Sequence, residues 1–520
     1  MNSHSLIVFE DEHVLAVNKP AGWNTHLPAP FLGEGIYEWL RHRELRWSGL
    51  SIVHRLDKGT SGLIVFGKTT AANRSLTQQF EKGAVRKKYF LLTDRKTEFR
   101  ELRARSALAR AGEKYMARPP HAGGVIAETV FRRAGAMIEA APLTGKTHQI
   151  RVQAAEHGFP ILGDTLYGGS FWPRLCLHAA ELTFEHPLSG ERLALSAPVD
   201  FDEDSRFALR EAIIDPAQTD AFRIIHGAAD GWPGLYIDRL GDYLLVQSTG
   251  AEMSGAERKR VEECTSQLGS RAVYHKIVQR EDRVPPQCLW GDAVDGEILI
   301  RENGARFALR VDEGYSTGLF LDQRDNRRRF LTRHVAADFE IPPGAEVLNT
   351  FAYTCGFSVC AAIGGMRVTS LDLSKNYLEW GRRNFGLNRL DPSGHDFIFG
   401  DAFDWFRRLA KKKRLFDIVI LDPPTFSRSK ESGVFQAERD YGALASVALA
   451  LVKPDGILFA STNAAQFGPE EFLGSISNAV ERAGRRVTLQ HYFPQPPDFP
   501  IERDEPGYLK TVWLRAAIRD

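Results

Sequence analysis

The chain has 520 residues, 43% of them hydrophobic and 26% charged, with a net charge of +1 at neutral pH. That length exceeds what one hydrophobic core supports, so about two to four domains are expected. No apolar run approaches the roughly 18 residues of a membrane helix, and the near-neutral balance excludes nucleic-acid binding through a global excess of cations.

Met1-Asn2-Ser3-His4-Ser5 carries neither a basic patch nor a long apolar segment, so no secretory signal is expected and a cytoplasmic protein is the default. Five scattered cysteines, Cys176, Cys264, Cys288, Cys355 and Cys360, include no CxxC pair, which argues for reduced thiols and against a disulfide scaffold or structural zinc. No metal, no membrane and no obligate protein partner are expected. Any RNA surface must be local, and the candidates are Arg86-Lys87-Lys88, Arg327-Arg328-Arg329 and Lys411-Lys412-Lys413-Arg414, each of which also reads as a solvated face.

Residues 1–203 are dense in short β-like runs, Leu6 to Phe9, Val14 to Val17, Leu63 to Phe66, Tyr89 to Leu92, Ile138 to Ala141 and Leu182 to Phe184. With helical patterns only at Gly35 to Arg43 and Thr70 to Phe80, they predict an α+β domain on a largely antiparallel sheet. Ala197-Pro198-Val199-Asp200 and the acidic run after it mark a boundary. Residues 206–305 predict a small mixed α/β domain, with helices at Phe207 to Ile213 and Ala256 to Leu268 and strands near Leu235 and Tyr243. From 306 to 520, strands at Glu346, Val368, Phe397 and Ile418 alternate with helices. That cadence predicts a Rossmann-like parallel sheet with ligands at the carboxyl ends of its strands.

The nine residues His54-Arg55-Leu56-Asp57-Lys58-Gly59-Thr60-Ser61-Gly62 place one carboxylate on a glycine-hinged turn between two apolar runs. A turn-stabilising aspartate would look the same locally. The run resembles the signature of RluA-type pseudouridine synthases, as do Lys88-Tyr89, Gly145-Lys146-Thr147-His148-Gln149-Ile150-Arg151, Pro160 to Asp164, Tyr167-Gly168 and Leu177-His178-Ala179. The resemblance implies that Asp57 is essential, by attack on the sugar or by proton abstraction. It also implies that Tyr89 stacks on the flipped uracil and serves in proton transfer, and that Arg151 pairs with Asp57 and keeps it ionised. For Arg55 two roles stand, filling the gap left by the extruded base or binding phosphate. From the short segment before the signature, the extra RNA-binding domain that many relatives carry is not expected.

His226 to Leu235 resembles the middle domain of rRNA methyltransferases of the RlmI and RlmK kind, which implies an RNA grip. Asn349-Thr350-Phe351-Ala352-Tyr353-Thr354-Cys355-Gly356, Asp372 to Trp380, Gly400-Asp401-Ala402, Ser316 to Arg327 and Asp422-Pro423-Pro424-Thr425-Phe426-Ser427-Arg428-Ser429-Lys430 resemble the same class I methyltransferases. The resemblance implies S-adenosylmethionine as cofactor, bound by Asn349, Phe351, Tyr353, Thr354, Gly356, Asp372, Asp401 and Asp422. Asp422, Pro423 and Phe426 then face the target base. Cys355 stands where relatives generally carry glycine.

Methylating carbon 5 of cytosine requires a cysteine nucleophile, whereas guanine nitrogen 7 already bears a lone pair and needs only positioning. No cysteine lies beyond Cys360, and Ser461-Thr462-Asn463 occupies the place where carbon-5 enzymes carry one, so guanine nitrogen 7 is the favoured acceptor. The expected activity is a bifunctional RNA-modifying enzyme whose partner is large-subunit rRNA, the 23S molecule. The alternatives are a tRNA substrate for one or both halves, and an rRNA-binding assembly factor with a catalytically weak methyltransferase half.

Overall fold

The computed structural model describes residues 6–250, 252–278, 286–311, 316–429 and 433–519; Met1 to Ser5 and Lys430 lie outside them. The chain forms two compact units, the first comprising Met1–Pro28, Gly35–Arg41 and Arg46–Ile214, the second Ala29–Glu34, His42–Leu45 and Asp215–Asp520. The first unit runs to Ile214 and so includes the helix Ser205–Ile213, which the sequence reading groups with the middle segment.

The first unit is built on an eleven-stranded sheet. An interior strand of it, Ser61–Gly67, is buried at every position, as its largely apolar run requires. It pairs antiparallel with Val14–Lys19 and parallel with Leu177–Glu185. The sheet continues antiparallel through Arg86–Leu91, Met137–Pro142, Val125–Ala134, Glu101–Ala111 and Lys114–Arg118. This order brings the start of Ser61–Gly67, where the Asp57 loop ends, next to Arg86–Leu91 across one intervening strand. Gly62 makes the crossing possible: at φ +111° a Cβ there would lie 2.3 Å from the Ala179 carbonyl oxygen.

In the second unit, a five-stranded sheet, Ala221–His226 to Gln287–Gly291, precedes a seven-stranded one. The larger sheet runs Asp396–Phe399, Arg367–Asp372, Glu346–Thr350, Phe416–Leu421, Val452–Thr462, Lys510–Ile518, Arg485–Phe493, with the first five mutually parallel and Lys510–Ile518 antiparallel to both of its neighbours. Gly356–Ile363, apolar on all sides, is buried from Gly356 to Ala362 and covers one face. The strand order reverses between Glu346–Thr350 and Phe416–Leu421, so the loops leaving those two strands diverge and open a crevice at their carboxyl ends.

The run Arg327-Arg328-Arg329 is not an RNA surface. Arg327 is buried in a bidentate pair with Glu302, both contacts 2.6 Å, and Arg329 is buried with its guanidinium 3.6 Å from the Phe493 ring centroid. Lys87, from the first basic run, lines the Asp57 cavity, while Lys88 pairs with Glu181 at 2.9 Å. Among the described residues, no helix is long and apolar enough to cross a membrane.

Candidate active sites

The Asp57 turn is tied down from both sides. Thr25 Oγ1 donates to the Leu56 carbonyl at 2.8 Å and accepts from the Leu56 N–H at 3.1 Å, and Leu56 is buried. Buried Lys19 donates to the carbonyls of Pro20, Trp23 and Lys58; desolvation pushes its ammonium down to about 7, against the pull of Asp57. His54 stacks on Phe80 with ring centroids 4.4 Å apart and accepts from Val65 N–H at 3.0 Å; burial pushes it down to about 3, so it stays neutral. The aspartate is therefore presented on a rigid turn, and its carboxylate faces charged side chains instead of capping the backbone.

That carboxylate opens into a cavity of about 1350 Å³ lined by Arg55, Lys87, Tyr89, Lys146, His148 and Arg151, among others. Arg151 Nη1 lies 3.5 Å from Asp57 Oδ2, within ion-pair reach. Its fork, however, grips buried Asp164, with Nε to Oδ2 at 2.7 Å and Nη2 to Oδ1 at 2.8 Å. Asp164 thus fixes the guanidinium and leaves one of its edges for Asp57. Burial and the Asp57 charge hold the Tyr89 phenol above its usual value, so it stays protonated. Arg55 is exposed at the mouth, its Nη1 3.5 Å from His26 Nε2.

The second cavity, about 540 Å³, lies at the switch point of the parallel sheet and is lined by Phe351, Tyr353, Asp372, Tyr377, Asp401, Asp422, Pro423 and Asn463, among others. The loop entering it is strained: Phe351, Tyr353 and Cys355 all adopt positive φ, at 54°, 50° and 63°, without being glycine. Gly381 accommodates the Cys355 side chain, since a Cβ there would fall 2.3 Å from Sγ. Asp372 accepts from the N–H groups of Tyr353 and Ser374, both at 2.8 Å, while burial raises its carboxyl. Its remaining lone pairs suit a vicinal diol, and the helix cap falls to Ser374, whose side chain accepts from Tyr377 N–H. Asp401 caps the helix Ala402–Lys411 and lines the same cavity. A cavity of this size and lining fits S-adenosylmethionine.

Three expected cofactor residues do not line that cavity. Asn349 is buried and donates to Ser358 Oγ at 2.8 Å, Thr354 donates to the Gly318 carbonyl, and Gly356 starts its helix against Leu319. They shape the loop from behind. Phe426 stands 59% exposed on the strand Phe426–Ser429 beyond the prolines.

Sequence reasoning missed several supports. Asp422 accepts from Ser461 Oγ and, at 3.4 Å, from Gln323 Nε2. Tyr441 lies beneath the turn, its hydroxyl directed at the carbonyls of Leu421 and Ser461 at 3.1 and 2.8 Å. These partners are distant in sequence: Gln323 and Ser461 lie in runs that the sequence singles out, but nothing there pairs them with Asp422, and no motif marks Tyr441.

Burial pushes the Asp422 carboxyl from 3.8 up to about 6, against the Ser461 hydrogen bond. The folded chain therefore holds that proton more tightly than the unfolded one. The stability is full below the ordinary value and is lost as pH rises through about 6. Asp422→Asn is expected to raise unfolding free energy near pH 8 by on the order of 2–3 kcal/mol, with the difference vanishing near pH 4. Denaturant melts at the two pH values measure it, and equal shifts at both would contradict the assignment.

A model of the S-adenosylmethionine-dependent methyltransferase family matches residues 222–515, and a model of the RNA pseudouridylate synthase family matches residues 13–156. The Bacillus subtilis protein "Putative ribosomal RNA large subunit methyltransferase YwbD" is 35% identical over 59% of this chain and 77% of its own length. A Deinococcus radiodurans ribosomal RNA large subunit methyltransferase is 34% identical over 60% of this chain and 77% of its own. Among solved structures, SMU.776, "a putative methyltransferase complexed with SAH", is similar with a TM-score of 0.53 at 26% identity, over 65% of this chain and 88% of that one.

Proposed function

Because the chain belongs to the S-adenosylmethionine-dependent methyltransferase family across residues 222–515 and to the RNA pseudouridylate synthases across residues 13–156, we propose that it modifies large-subunit (23S) ribosomal RNA in two ways. Residues 1–203 isomerise a uridine, and residues 306–520 methylate nitrogen 7 of a guanine. Residues 206–305 help to grip the RNA, and the setting is the cytoplasm.

In the first reaction the N1–C1′ bond breaks, a C5–C1′ bond forms, the C5 proton leaves and N1 gains one, so the atoms balance without a co-reactant. Asp57 acts on the sugar, Tyr89 stacks on the extruded uracil and Arg151 pairs with Asp57. Arg55 at the cavity mouth suits the space that a flipped base vacates. In the second site, S-adenosylmethionine supplies an electrophilic methyl group. With that cofactor bound, Asp372 would hold the ribose hydroxyls, Asp401 would accept from the adenine amine, and the loop carrying Phe351 and Tyr353 would hold the methionine arm. Asp422 and Pro423 present the target base, with Phe426 on the approach.

The acceptor assignment is carried by the cysteines. Cys355 and Cys360 are buried and burial raises both thiols, and none of the five cysteines is among the residues lining the methyltransferase cavity. A ring carbon therefore has no thiolate to activate it, whereas a nitrogen lone pair needs none. The relatives' names support ribosomal RNA over transfer RNA. The fit of Cys355 against Gly381 removes the departure at that position as a reason to read this half as a non-catalytic assembly factor.

The test compares ribosomal RNA from cells with and without the gene. Borohydride and aniline cleavage should reveal one guanine site that disappears with the protein, alongside one carbodiimide-reactive pseudouridine. Loss of a bisulfite-resistant cytosine, with guanine cleavage unchanged, would refute the nitrogen assignment.

A further inference from the structure

A second side chain approaches the Asp57 carboxylate from the side opposite its own loop. His148 Nε2 lies 3.8 Å from Oδ2, the oxygen that Arg151 Nη1 also approaches at 3.5 Å. His148 sits at φ 55°, the left-handed region that a β-carbon disfavours, and its side chain is mostly buried. Its other ring nitrogen, Nδ1, lies 2.7 Å from the Tyr167 hydroxyl, which in turn accepts from the Tyr115 N–H at 2.9 Å. Asp164, through Arg151, completes the charged groups around the ring.

The proton positions follow from these partners. A carboxylate oxygen only accepts, so a bare Nε2 lone pair facing Oδ2 would be repelled, whereas Nε2–H is attracted. Nδ1 is then the acceptor and takes the Tyr167 hydroxyl proton, an arrangement that the Tyr115 N–H reinforces by occupying the hydroxyl oxygen. Burial of the ring favours this neutral tautomer over the imidazolium.

We infer that His148 is a positioning residue for uridine isomerisation: locked by Tyr167 with its proton on Nε2, it holds Oδ2 of Asp57 together with Arg151 and so leaves Oδ1 as the oxygen that meets the nucleoside. The 3.8 Å separation closes to hydrogen-bond length when RNA fills the cavity and excludes water. Two donors on one oxygen prevent the carboxylate from rotating, and that is what a group acting on a single sugar atom requires.

The experiment uses the full chain with pooled large-subunit rRNA and tRNA transcripts carrying 5-tritiated uridine, and measures tritium release in a single turnover alongside RNA affinity. His148→Ala is expected to slow release by about 10- to 100-fold, the scale of one charge-assisted hydrogen bond, with Kd for RNA within about threefold of the parent. His148→Gln, whose amide N–H reaches the place of Nε2, should recover most of the rate; His148→Asn, which mimics Nδ1, should not. Tyr167→Phe should slow release as well, and combining it with His148→Ala should add nothing further. A His148→Ala rate within about twofold of the parent overturns the inference. So does a Gln variant as slow as the Ala variant, or a double variant whose losses multiply, because the imidazole would then only shape the loop.

Discussion

Asp57→Asn is expected to abolish pseudouridine formation, with tritium release from 5-tritiated uridine in RNA falling by about three orders of magnitude or more. Asparagine preserves the size of the side chain and leaves the anchors on Leu56 and Lys58 in place, so the turn should keep its shape. The variant loses the negative charge that Arg151 and His148 approach. A neutral amide can neither attack the sugar nor accept its proton. Nothing in the second cavity shares a residue with the first, so binding of S-adenosylmethionine should be unaffected. The isomer persisting in RNA treated with this variant would defeat the assignment.

Asp372→Ala is expected to weaken S-adenosylmethionine binding about 100-fold by isothermal calorimetry, because two charge-assisted hydrogen bonds to the ribose hydroxyls disappear at a half-buried position. The same carboxylate holds the N–H groups of Tyr353 and Ser374, so the strained Phe351 to Cys355 loop loses its anchor at once. Asp372→Asn keeps one acceptor and should fall between the two. An affinity unchanged by either substitution would remove this residue from the cofactor site and favour the non-catalytic reading of this half.

Much of both sites is legible in the sequence because the essential groups sit on contiguous turns. Asp57 lies inside nine residues that already contain the glycine needed to pass Ala179, and Asp422 and Pro423 follow a buried apolar strand. The supports are not legible in that way. Asp164 reaches Arg151 from a loop thirteen positions on, and Ser461 reaches Asp422 across thirty-nine, so their roles exist only once strands are paired. Arg327 and Arg329 mislead for the opposite reason: three consecutive arginines suggest solvent, yet the helix Arg324–Thr332 turns them inward, where Glu302 compensates Arg327 and the Phe493 ring receives Arg329. Asn349, Thr354 and Gly356 belong to a cofactor motif, but they shape its loop from the far side.

Tyr441, beneath the proline turn, joins the last carbonyl of one strand, Leu421, to the penultimate carbonyl of its parallel neighbour, Ser461, just where the two part. Its phenol works as a spacer of fixed length, so the gape of the methyltransferase mouth is set from inside the core and not by the turn above it. Amino-acid changes in the rim can then alter which nucleobase is welcomed without loosening the hold on the methyl donor.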